Sequence, residues 1–99
     1  MKYKTEPVIT KSNVKDGYAK FTFIPDYAKF GMTNMDNDTL ALFEKRAYDV
    51  CACTNSKVKV YFNNQQLEIK NFEKYVDLYL GDKNTTPRVV EKTEHWEVI

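Results

Sequence analysis

The sequence predicts a small α+β unit, and three observations lead to that expectation. Apolar residues alternate with polar ones at Phe21 and Phe23, and again at Val58, Val60 and Phe62, the period-two pattern of half-buried strands. Two other stretches, 39–53 and 71–80, place their apolar residues at helical spacing instead. The composition, 42% hydrophobic and 29% charged with seven Tyr, six Phe and one Trp, is that of a folded soluble domain rather than a disordered tail. At 99 residues the chain has room for one small domain, which buries only about 60–65% of its unfolded surface.

Taken in order, residues 1–17 are polar and irregular and close on the turn signal Asp16-Gly17. Tyr18–Ile24 reads as a strand that stops at Pro25, which has no N–H to give a ladder. Residues 26–37 form a loop, and either Asp36 or Asp38 is suited to cap the helix that follows. Leu40, Phe43, Ala47, Val50 and Cys51 share one face of that helix, and Phe43, at its centre, is expected to anchor the core. Lys57–Phe62 reads as a second strand, Asn63-Asn64 as a hairpin turn, and Leu67 and Ile69 as the return strand. In the second helix, Phe72, Tyr75, Val76, Tyr79 and Leu80 make an apolar stripe, with Gly81 as a left-handed terminator. A polar loop runs through Pro87, and strand-like stretches follow at 88–92 and 94–99. A chain ending inside a strand that holds its single Trp reads as a truncated one.

Charge and cysteine usage narrow the function classes. Fifteen basic against 14 acidic residues leave a net charge of +1, with the two signs interleaved, so there is no electrostatic case for DNA contact by this stretch alone. Cys51 and Cys53, placed on a helix, point about 200° apart, which makes a disulfide difficult and suits a reducing intracellular compartment. No apolar run approaches the ~20 residues of a membrane span.

Each candidate for chemistry has a plainer structural explanation. Cys51-Ala-Cys53 has neither the spacing nor the further ligands of a zinc or redox pair, and reads as one packed thiol and one near the surface. His95, the single histidine, has no nucleophile beside it and reads as a surface residue on a strand. Asp36 and Asp38 are explained by helix capping. Glycines at 17, 31 and 81 are too dispersed to cradle a phosphate. Lys45-Arg46 reads as a solvated or salt-bridged helix face. The residues thus supply no catalytic, cofactor-binding or metal-binding site.

The order of motifs adds a resemblance. Phe21-Thr-Phe-Ile-Pro-Asp26, Lys29-Phe-Gly-Met32 and Asp36-Asn-Asp38 resemble the stretch "TF-x-PD-x-x-KF-x-M…D-x-D" of eukaryotic-type DNA topoisomerase II. Lys45-Arg-Ala-Tyr-Asp-Val50 resembles that family's "RRAYDI" helix. Val58–Asn63, Phe72-x-x-Tyr75-Val-Asp-Leu-Tyr-Leu80 and Trp96-Glu-Val98 continue the likeness in order, from about residue 18 to 99. The family often carries Gly where Asn64 stands, and another near Cys53.

The resemblance implies a junction. Residues 1–70 would be the C-terminal end of a GHKL (Bergerat) ATPase α/β sandwich. Residues 71–99 would begin a transducer domain similar to ribosomal protein S5 domain 2, a layout shared more distantly by bacterial gyrase B. The parent enzyme would use ATP and Mg²⁺, act on DNA as a homodimer and work in the nucleus, or in the cytoplasm for a viral or parasite enzyme. This segment would carry none of the catalytic residues and would help couple ATP binding and dimer closure to strand passage. The alternative is a free-standing α+β interaction module whose aromatic faces bind a partner protein. On the resemblance, strand 94–99 would lack its sheet neighbours, and self-association through it is expected at high concentration.

Overall fold

Asp36 sets the start of the longest element. Its carboxylate accepts the Thr39 N–H at 2.7 Å and the Thr39 hydroxyl at 3.0 Å, which satisfies an amide that the first helical turn leaves free. From there α1 runs Asn37–Cys53, through a stretch with no Gly or Pro and few β-branched residues. Thr54 closes it, its N–H and hydroxyl both returning to the Val50 carbonyl at 3.0 and 2.8 Å. The computed structural model describes residues 5–99, so the first four residues of the expected polar start lie outside the described residues.

The other elements are short. Tyr61–Phe62 (β1) and Gln65–Gln66 (β2) pair antiparallel in the register Tyr61↔Gln66 and Phe62↔Gln65. Asn63 and Asn64, at φ 48° and 64°, form the two-residue turn between them, a geometry Asn tolerates better than most residues. The expected return strand at Leu67 and Ile69 is thereby corrected: the turn is so tight that the ladder partners are the glutamines. Leu67 extends the pairing by one bond, from its N–H to the Val60 carbonyl at 3.0 Å. Helix α2 spans Phe72–Leu80, capped by the Asn71 side chain on the Lys74 N–H at 2.9 Å. Glu91–Lys92 (β3) and Glu97–Val98 (β4) form a second antiparallel hairpin. Among the described residues, two α-helices and two small sheets make the architecture α+β, as expected.

Four further expectations change. Tyr18–Ile24 forms no strand: each ladder in the described residues is a two-stranded local hairpin, and neither takes this segment as a third strand. Phe21 and Ile24 are consequently left 88% exposed. The chain next forms a 3₁₀ turn at Tyr27–Phe30, which Gly31 ends at φ 67°. Phe43 is over a third exposed, stacked edge-on to Phe23 at 6.0 Å, so it borders the interior rather than anchoring it. Gly81 has the expected positive φ of 74°, but its ψ of −166° is not left-handed helical and belongs to a region open essentially to glycine alone. Finally, strand 94–99 is not left without a neighbour: β4 pairs with β3, in the register Glu91↔Val98.

Packing is concentrated where the C-terminal half of α1 meets α2 and β1. Cys51, 4% exposed, is the one buried apolar residue among the described residues. The radius of gyration is 18.2 Å, against about 13 Å for a compact domain of this length.

Candidate functional site

The densest cluster of charged and polar groups lies at the joint between α1 and α2. Lys45, Arg46 and Asp49 fall three and four residues apart on α1 and so share a face. The Lys45 ammonium lies 2.9 Å from Asp49 Oδ1 and 3.1 Å from Oδ2, and the Arg46 guanidinium donates to Oδ2 at 3.1 Å. Helix α2 adds the decisive donor. The Tyr75 hydroxyl reaches across to Asp49 Oδ1 at 2.5 Å, and the Tyr79 oxygen stands 2.9 Å from that of Tyr75. Since Tyr75 spends its proton on the carboxylate, Tyr79 donates to Tyr75. The two rings meet edge to face at 5.3 Å, one helical turn apart.

The electrostatics follow from that geometry. The hydrogen bond from Tyr75, followed by those from Lys45 and Arg46, holds the Asp49 carboxyl down to about 2. The same carboxylate, then Tyr79, pushes Tyr75 up to about 12. Lys45 is raised through its bond to Asp49. A carboxylate with both oxygens occupied and so low a pKa is a poor general base. Its arrangement serves to fasten two helices.

The residues singled out from the sequence take structural positions. Asp36 caps α1, and Asp38 lies in its first turn, near the positive end of the helix dipole. Cys51 is buried, which raises its thiol pKa, and Cys53 is exposed. Lys45-Arg46 is a salt-bridged face. His95 occupies the turn between β3 and β4, its N–H 3.4 Å from the Thr93 hydroxyl. Sequence reasoning missed Asp49 and Tyr75 as a pair. The helical spacing places Tyr75 in the apolar stripe, although the Lys45–Asp49 spacing and the Tyr75–Tyr79 repeat are both legible in the sequence.

Elsewhere, an apolar cavity of about 250 Å³ separates the 3₁₀ turn from α1, lined by Pro25, Tyr27, Phe30, Met32, Met35, Thr39 and Phe43. Its walls carry no charge, which does not suit a nucleotide phosphate. Among the described residues no group of three or more His, Cys, Asp or Glu could hold a metal ion. Nor is any helix there long and apolar enough to cross a membrane.

Comparison with known proteins gives the context of this joint. The chain is 44% identical over 102 residues to DNA topoisomerase 2 of Arabidopsis thaliana, covering 96% of the chain. It is 47% identical over 97 residues to DNA topoisomerase 2 of Acanthamoeba polyphaga mimivirus, again over 96% of the chain. The chain belongs with the eukaryotic-type DNA topoisomerase 2 sequences. Human DNA topoisomerase 2-alpha is 42% identical over 89 residues, 84% of the chain. The chain spans about 7% of the length of the plant and viral topoisomerase 2 relatives and 6% of the human one. No family model matches it, and no solved structure does. Asp49 and Tyr75 lie within the stretch matched by the plant and viral relatives.

Proposed function

We propose that this chain is a noncatalytic segment of an ATP-dependent type II DNA topoisomerase, which transmits ATP-driven dimer closure toward DNA strand passage. It lies at the end of the GHKL ATPase region and runs into the transducer. One observation carries the reading: the main charged cluster, Asp49 with Lys45, Arg46 and Tyr75, is consumed in joining α1 to α2 and leaves no free acid or base for chemistry. The surface agrees with a part that works against other parts. The accessible area is 9785 Å², against about 5,800 Å² for a compact monomer of this mass. ATP, Mg²⁺, DNA and the homodimer partner belong to the parent enzyme, and the nucleus is its expected compartment.

The test uses a full-length topoisomerase carrying this segment, with Asp49→Asn and Tyr75→Phe combined. ATP hydrolysis should continue within about twofold, while relaxation of supercoiled DNA per ATP consumed falls about tenfold. An equal loss of both activities would indicate a direct part in hydrolysis, and no loss of either would remove the mechanical role. Calorimetric titration of the 99-residue chain with a nonhydrolysable ATP analogue should give no binding heat.

A further inference from the structure

Arg88 is the second place where the chain is tied back on itself, and nothing in the α1–α2 joint accounts for it. Helix α2 has no basic residue in its last turn, so its negative end lacks the usual internal cation. The chain leaves the helix through Gly81 and coils tightly. The Asp82 carboxylate accepts the Asn84 N–H at 2.8 Å, and the Asp82 carbonyl accepts those of Thr85 and Thr86, both at 3.0 Å. That coil brings Arg88 back to the end of the helix. Its Nη2 donates to the Gly81 carbonyl at 2.5 Å, and its Nη1 stands 3.1 Å from Asp77 Oδ1.

Three features separate this contact from an ordinary surface ion pair. The Arg88 side chain is only 4% exposed. Its Nε and Nη1 are buried without a directed hydrogen bond, so Nη1 meets Asp77 as an ion pair and the cation depends on that charge. Gly81 adopts a backbone conformation that other residues reach only with strain. β3 begins three positions after Arg88, and the β3–β4 hairpin is packed chiefly against itself. The direction in which the hairpin leaves α2 is thus set at Gly81 and Arg88.

We infer that Arg88 is a positioning residue, a clasp that closes the loop 82–87 onto the C-terminal end of α2 and fixes the β3–β4 hairpin relative to the helices. When the clasp is closed, the hairpin moves with α2; when it is displaced, the loop becomes a hinge. The seam between moving parts then lies at 81–88, after α2, rather than before it. The functional half of this inference rests on the coupling role proposed above; the structural half does not.

The test uses full-length topoisomerase carrying Arg88→Met or Arg88→Lys, with Asp77→Asn as a second approach to the same contact. Lysine keeps the charge but has no planar fork to reach both Asp77 and the Gly81 carbonyl. Backbone amide exchange at 82–86 should rise about tenfold in Arg88→Met and less in Arg88→Lys, with the amides of α1 unchanged. DNA relaxation per ATP hydrolysed should fall about fivefold in the same order. Loop exchange within about twofold of wild type in both Arg88→Met and Asp77→Asn would overturn the clasp. Faster loop exchange with unchanged relaxation per ATP would overturn its role in transmission. If the Asp49→Asn, Tyr75→Phe enzyme relaxes DNA normally, the coupling reading fails by itself, and the clasp is then judged by amide exchange alone.

Discussion

Tyr75 on α2 donates its hydroxyl proton to Asp49 on α1 across 26 positions of sequence, at 2.5 Å. The other side-chain hydrogen bonds among the described residues join groups no more than ten positions apart. The pairing is mutual: the carboxylate is held as an anion by the phenol, and the phenol is held neutral by the carboxylate.

That reciprocity predicts two pH limits for the joint. Asp49 is lowered from 3.8 to about 2, so its contribution is present above the unfolded value and is lost as pH falls toward 2. Tyr75 is raised from 10.0 to about 12, so its contribution is present below 10 and is lost as pH rises toward 12. Denaturation midpoints should be flat near neutrality and fall on both sides. Tyr75→Phe should reduce the alkaline fall without abolishing it, because Lys45 and Lys74 are also raised, by their bonds to Asp49 and Asp77. Asp49→Asn should reduce the acid fall without abolishing it, because Asp36 and Asp77 are also lowered, by the Thr39 N–H and by Lys74. An unaltered alkaline limb in Tyr75→Phe would show that another group governs it.

Gly81 and Asn64 should respond oppositely to substitution. Gly81→Ala places a Cβ at φ 74° and ψ −166°, and should cost about 1–3 kcal/mol even though nothing lies within 4 Å of the new atom. Asn64→Gly, at φ 64° in the hairpin turn, should be neutral or stabilising by a few tenths of a kcal/mol. Urea denaturation of the two variants checks both. A harmless Gly81→Ala would mean that the helix end relaxes freely into another conformation.

The 99-residue chain should self-associate at high concentration. β4 has one edge against β3 and the other unpaired, with Trp96 and Val98 74% and 59% exposed beside it. Light scattering over a concentration series should show dimers that diminish when Trp96→Lys or a Pro at Val98 is introduced. A monomer at millimolar concentration would refute the expectation.

The sequence by itself determined the α+β class, α1 with a cap at Asp36 or Asp38, the Asn63-Asn64 turn, α2, and the split between a packed and an exposed cysteine. All of these depend on neighbours a few positions away: cap to amide, turn to strand, periodic residue to helix face. Its motif order also determined the topoisomerase kinship. What tertiary structure decided were the features set by distant partners. Tyr75, one more apolar position in the helical pattern, became a hydrogen-bond donor because α1 presents Asp49 to it. Arg88 opens a strand-like stretch in the sequence pattern, and only the coil after Gly81 returns it to Asp77. Tyr18–Ile24 had the alternation of a strand and formed none, because alternation specifies which face is apolar, whereas a ladder also requires a second backbone within about 5 Å.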